Sequence, residues 1–211
     1  MGYYPIFLDL THRPCVVVGG GEVAEGKVAG LLDAGARVTV IAPAVTPRLE
    51  EWIVAGRVRH IPRAYQEGDL DGAFLVISAT DDREVNARVW EEATARGILV
   101  NVVDDPPRCV FIAPAVVRRG DLIVAISTSG KAPALAARLR QWLEDVLGDE
   151  YARFLELVAP LRAPLVHHVP DLEERKRRWY RLVDSDVLTL LREGREEEAR
   201  ARVKEILGAV R

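Results

Sequence analysis

Residues 14–35, PCVVVGGGEVAEGKVAGLLDAG, constrain the fold more than any other stretch. A short apolar run, Cys15 to Val18, meets three consecutive glycines, Gly19, Gly20 and Gly21. An amphipathic segment then runs from Glu22 to about Ala34, with Val23, Val28, Leu31 and Leu32 at helical spacing, so the stretch reads as strand, tight turn and helix. Gly19 lets the chain bend sharply, and Gly21 lets the backbone approach an anion. Ala24 takes the third position of a G-x-G-x-x-A pattern and is small enough for close helix–strand packing. The free N–H groups and positive end of the helix suit such a turn to a pyrophosphate. Glycine triplets also make plain structural turns; the strand before and the helix after are what point to a dinucleotide.

A chain of 211 residues with 49% apolar residues has enough material for a real core. Its net charge of -3 argues against a nucleic-acid binder led by bulk charge, while leaving room for a local basic patch. No stretch is long and apolar enough to span a membrane, and the N-terminal MGYYPIFLDL has neither a basic leader nor a long apolar region. Cys15 and Cys109 are the only cysteines, too few for a disulfide scaffold and without metal-ligand spacing. A cytoplasmic, reducing location is expected, with no metal site.

Further strands are expected at Arg37–Ile41, Val58–Ile61, Phe74–Ser78 and Ile98–Val103, with helices at Leu49–Ala55 and Arg83–Arg96. Tyr3 to Leu8 reads as an added edge element, and Tyr65 to Leu70 as a connector. Five parallel strands with covering helices make an α/β, Rossmann-like domain over residues 1–113. An acid usually grips the adenosine ribose at the end of the second strand. Here that strand ends Ile41-Ala42-Pro43, so backbone contacts from Ala42 and Pro43 are expected instead, and the lack of an arginine cluster favours NAD over NADP. Thr80, Asp81 and Asp82 follow the fourth strand at the carboxyl edge where open sheets bind ligands; the aspartates either cap the next helix or touch the ligand. Asn101 and Asp104 stand at the same edge, at the end of the fifth strand.

After Phe111 the pattern changes. Ile112–Val117 and Leu122–Ser127 read as a hairpin joined by Arg118-Arg119-Gly120-Asp121. The polar turn Ser127-Thr128-Ser129-Gly130-Lys131 precedes an amphipathic helix from about Pro133 to Leu147 and either caps it or takes a carboxylate or phosphate. Residues 150–210 read as helical, with a basic face at Arg175–Arg178 and with His167 and His168 packed or facing solvent.

Several stretches taken together resemble one family. They are Tyr4-Pro5-Ile6-Phe7, the run Val18 to Ala24 with Lys27, Gly35-Ala36, Ala79-Thr80-Asp81-Asp82, Val85-Asn86 and Asn101-Val102-Val103-Asp104. Phe111-Ile112, Pro114-Ala115, Arg119-Gly120 and Ala125 to Gly130 with Pro133 complete the set. The chain is similar to the precorrin-2 dehydrogenases, which also form the N-terminal module of sirohaem synthases. The likeness is close through the helix that follows Pro133 and looser in the helical tail. It implies oxidation of precorrin-2 to sirohydrochlorin with NAD, in a homodimer paired through the middle segment. The domains would be 1–113 for NAD, a hairpin/helix dimerisation segment at 114–147, and a helical C-terminal domain at 148–211. The methyltransferase module of fused members is not expected. Asp104 falls on the catalytic aspartate, as base or as orienting group. Glu22 and Val23 match a nucleotide-contact pair, and Ala42 and Pro43 lie by a second one. Thr128 aligns with a serine that is regulatory in some relatives. Some members also insert ferrous iron into sirohydrochlorin, which stays open as an added activity. Since the substrate carries many carboxylates, Arg118, Arg119, Lys131 and Arg138, with the Ser127 and Thr128 hydroxyls, are the candidates to hold it. A non-catalytic NAD-sensing module is the alternative from a different class.

Overall fold

Strand β1, Pro14–Val18, is the centre of a parallel sheet in the computed structural model, which describes residues 2–208. The chain divides into two compact units, Met1–Ala113 and Pro114–Arg211. In the first, β2 (Arg37–Ile41), β3 (Val58–Ile61), β4 (Leu75–Ser78) and β5 (Leu99–Val102) complete a five-stranded sheet of order β3-β2-β1-β4-β5. In register, Val18 of β1 faces Ile41 of β2 and Ser78 of β4. The chain therefore winds one way from β1 to β2 and β3, then the other way to β4 and β5. The order reverses between β1 and β4, which in open parallel sheets makes a crevice at the carboxyl ends of the strands.

Alternation along β1 supplies two cores. Cys15 and Val17 face one layer with Ala24, Val28 and Leu31 of helix α1 (Glu22–Asp33). Val16 and Val18 face the other with Val89 and Ala93 of helix α3 (Arg83–Ala95). Burying each large aliphatic side chain in such a layer stabilises by about 1.5–3 kcal/mol, and covering both faces explains the unbroken apolar runs of the strands. Helix α2 (Pro47–Val54) opens on Pro47, capped by Thr46, whose Oγ1 accepts from Leu49 N–H at 3.2 Å. The helix thus starts earlier than the apolar pattern suggested, because proline is well suited to a first helical turn. The N-terminal lead-in forms no strand.

In the second unit, β6 (Ala115–Arg119) and β7 (Leu122–Ile126) form the expected hairpin in a shifted position. Arg119 pairs with Leu122, so the turn is Gly120-Asp121 alone and both arginines belong to the strand. Gly120 has a φ of 56°, as a tight hairpin turn requires. Helix α4 (Pro133–Val146) follows. Beyond it come α5 (Glu150–Val158), α6 (Arg162–His168), α7 (Leu172–Val183), α8 (Val187–Arg192) and α9 (Glu196–Leu207). These share a core that includes Phe154, Leu165, Leu182, Leu191, Val203 and Leu207. Pro164 stands in the first turn of α6, where a missing N–H costs nothing.

Candidate dinucleotide and hydride-transfer site

A cavity of about 1020 Å³ opens at the carboxyl edge of the sheet, at the β1/β4 switch point. Its wall includes Gly19, Gly21, Glu22 and Val23 from the β1–α1 turn, Ala42 and Pro43 after β2, Thr80 and Asp81 after β4, and Asp104 after β5. All nine expected cofactor and catalytic positions therefore meet in one place.

The glycine turn is fixed from behind. Gly19 has a φ of 122°, and a Cβ there would stand 2.2 Å from the Ala79 carbonyl oxygen. A Cβ on Gly20 would stand 2.0 Å from the Ala44 oxygen. Nothing local in the sequence marks the need at Gly20, which arises from the loop that carries Ala44. Gly20 O also accepts from Thr46 N–H at 3.0 Å, and Thr46 Oγ1 donates to Glu25 at 2.7 Å, so the β2–α2 loop is pinned to the turn. Gly21 has nothing within 4 Å of a built Cβ. It is also the N-cap of α1, and no side chain caps that end. Open space in front of uncapped N–H groups fits a phosphate. The residues present therefore suit a dinucleotide.

The β2 end carries Ala42 where an acid is usual, and His60 Nε2 lies 2.9 Å from the Ala42 carbonyl oxygen. Ala64 and Tyr65, from the connector after β3, also line the cavity, and no local pattern marks either of them. Tyr65 is buried and donates its hydroxyl to Glu92 on α3; burial first, and this bond second, push the phenol above its ordinary value. It is therefore a wall and not an acid.

After β4, Asp82 caps α3 by accepting from Glu84 N–H at 2.9 Å and Val85 N–H at 3.1 Å, which leaves Asp81 as the uncommitted member of the pair. Asn86 holds the loop by accepting from Ser78 Oγ at 2.6 Å and donating to Thr80 O at 3.0 Å.

Asp104 has a φ of 60°, a left-handed conformation uncommon outside glycine, in a turn closed by Asp105 N–H on Val102 O at 3.2 Å. Backbone held this way away from glycine gathers at functional sites. The chain then folds back on β5, Val110 N–H donating to Val100 O at 2.9 Å. Asn101, expected at the crevice, is turned away and donates to Phe111 O at 2.9 Å and Cys109 Sγ at 3.4 Å. It braces the loop that carries Asp104. Burial holds the Cys109 thiol above its usual value and pushes Cys15 up to about 11, so neither is a ready thiolate.

The other six expected residues belong to the second unit and do not form one cluster there. Arg119 is spent on the end of α4, donating to Leu147 O at 2.6 Å and Glu144 O at 2.7 Å. Lys131 lies before the opposite end of that helix, about 20 Å away at 1.5 Å per residue. Ser127 Oγ accepts from Ser129 N–H at 3.0 Å, and Thr128 Oγ1 accepts from Ala132 N–H at 3.2 Å, so both hydroxyls serve the turn. Arg118, Lys131 and Arg138 are exposed.

Comparison with known proteins extends the picture. A family profile described as "Putative NAD(P)-binding" matches residues 6–115. One described as "Sirohaem biosynthesis protein central" matches 119–145, and one described as "Sirohaem synthase dimerisation region" matches 150–207. The siroheme synthase of Thioalkalivibrio sulfidiphilus is 42% identical over 207 residues, 98% of this chain and 42% of that protein. That of Photobacterium profundum is 43% identical over 200 residues, 95% of this chain and 43% of that protein. The chain thus spans under half the length of these curated relatives. A solved structure of SirC, a precorrin-2 dehydrogenase, superposes with a TM-score of 0.76 at 29% identity, covering 96% of this chain and 100% of that one.

Proposed function

We propose a function that starts from the family to which the chain belongs, the precorrin-2 dehydrogenases and the matching N-terminal modules of sirohaem synthases. The chain oxidises precorrin-2 to sirohydrochlorin with NAD, releasing NADH and a proton. The observation that carries this reading is the single cavity lined by the uncapped glycine turn and by Asp104. Bound NAD supplies the two-electron acceptor. The N–H groups of Gly21, Glu22 and Val23 hold its pyrophosphate, with Ala42 and Pro43 along the adenosine and Thr80 and Asp81 at the carboxyl edge of β4. The substrate ring lies beside Asp104. Loss of a hydride leaves the macrocycle with a proton to release, and the Asp104 carboxylate accepts that proton or orients the carbon that loses hydride. Taken by itself, the second unit presents Arg118, Lys131 and Arg138 as exposed cations, and Ser127 and Thr128 shape the turn that presents Lys131. The protein acts as a homodimer in the cytoplasm. Among the described residues no helix is long and apolar enough to cross a membrane.

Incubating the protein with precorrin-2 and NAD should give NADH and sirohydrochlorin in equal amounts. Asp104→Asn keeps the side-chain size and tolerates a left-handed backbone, so it should fold and bind NAD while kcat falls about 100-fold or more, the scale of lost general-base assistance. Wild-type turnover in that variant would remove Asp104 from the chemistry. No NADH from a folded wild type would overturn the dehydrogenase reading.

A further inference from the structure

The cavity has an electrostatic problem that its expected residues do not solve. Glu22, Asp81, Asp82, Asp104 and Asp105 all line it, and both proposed occupants are anions. Two cations line it as well, Arg83 and Arg108. Arg83 opens α3, on the β4 side. Arg108 ends a short 3₁₀ turn, Pro106–Arg108, in the loop that carries Asp104. Its Nη1 donates to Asp105 Oδ2 at 2.6 Å, and its guanidinium carbon sits 5.8 Å from the centre of the Trp90 ring. These contacts fix the plane of the group while its side chain stays 40% exposed. Among the described residues, Nε and Nη2 make no other hydrogen bond. A planar cation with one edge anchored and two donors open is built to receive a carboxylate in a two-point grip.

We propose that Arg108 binds one carboxylate of the tetrapyrrole and so holds the ring over Asp104. The assignment rests on the dehydrogenase reading for the identity of the ligand. Asp105 and Trp90 are positioning residues, since they act through the guanidinium. Arg108 also offsets part of the negative field in which a polyanionic substrate must settle beside Asp104.

Two measurements on the full chain test this. In turnover, Arg108→Ala should raise the KM for precorrin-2 roughly tenfold to a hundredfold, the scale of a lost charge-assisted bond, with kcat changed far less. Arg108→Lys, which keeps charge but not the fork, should recover part of the loss. NAD affinity and the unfolding midpoint should match the wild type in both. In equilibrium titration with sirohydrochlorin, which needs no turnover, Arg108→Ala should bind by a similar factor more weakly. Equal affinity of wild type and Arg108→Ala overturns the assignment even when turnover is normal, as does a loss confined to NAD binding. A wild type that binds sirohydrochlorin through Arg108 yet makes no NADH overturns the reaction and leaves Arg108 as a ligand residue. A wild type that binds no tetrapyrrole overturns both.

Discussion

Gly19, Gly20 and Gly21 are neighbours that answer to different forces. The first two are required by the protein itself, because a methyl group would meet the backbone of Ala79 or Ala44. Gly21 has an extended backbone, with φ of -82°, and space in front of it, so only a ligand needs its bareness. Gly19→Ala should therefore destabilise by roughly 2–5 kcal/mol, from left-handed strain and overpacking together, as read by chemical denaturation. Gly21→Ala should unfold within about 1 kcal/mol of the wild type, the entropy gain of alanine set against its poorer N-cap, while NAD binds at least about tenfold more weakly because the methyl group holds the phosphate off the turn, the scale of one lost bond to a charged group. Asp104 carries the complementary signature. Its left-handed backbone costs about 1 kcal/mol that glycine would not incur. Asp104→Gly should be as stable as the wild type or up to about 1 kcal/mol more so, and inactive. An active Asp104→Gly would mean that the strained turn serves the loop and not the chemistry.

At the scale of elements, the connection from β3 to β4 is, among the described residues, the one strand-to-strand connection of the sheet that carries no helix. It is held instead by side chains. Arg63 donates to both carboxylate oxygens of Asp69, each at 2.7 Å, and Asp69 also accepts from Gln66 N–H at 2.8 Å. The Arg63 bond, outweighing burial, holds the Asp69 carboxyl below its ordinary value. The folded chain thus takes up this proton less readily than the unfolded one. The stabilisation is full above the unfolded value, near 4, and is lost as pH falls through the lowered native value. Asp69→Asn should lower the thermal midpoint at pH 7, and its gap from the wild type should close as pH drops below about 4; a constant gap would show that the pair does not titrate with folding. The sheet was legible in the sequence because each strand is a buried run ended by turn residues, and Cys15–Val18 with its glycines fixes where the sheet starts. The site was legible where backbone does the work: Gly19, Gly21 and the carboxyl ends of β2, β4 and β5. It was not legible where tertiary contacts decide. Nothing local says that Tyr65 closes a wall by bonding Glu92, 27 residues on, or that Asn101 turns away to brace Phe111. The same holds for Arg119, which reads as a free cation until the carbonyls at the end of α4 come within 2.7 Å.

For the molecule as a whole, association is argued best from the exposed side of α4. Leu135, Leu139, Trp142 and Val146 follow a spacing of four, three and four residues and so share one side of the helix. All are exposed, Trp142 at 59% and Leu135 at 53%. Exposed apolar residues along one side of a helix are characteristic of an interaction surface. On α7, Leu172 and Tyr180 are also exposed, but Lys176 stands between them at helical spacing and breaks the stripe. The α4 stripe lies in the same compact unit as residues 150–207, which match the dimerisation profile. A second copy of the chain is therefore the occupant to test. Trp142→Glu places a charge in the middle of the stripe, where burial without a partner costs several kcal/mol. It should reduce the particle measured by light scattering from twice 23.4 kDa to 23.4 kDa. The monomer should keep the first unit's NAD affinity, because every residue lining the dinucleotide cavity lies within that unit. If the variant stays dimeric at micromolar concentration with α4 still folded, pairing runs through another surface. If dimer and NAD binding are lost together, the two properties are coupled in a way that the cavity's own residues do not explain.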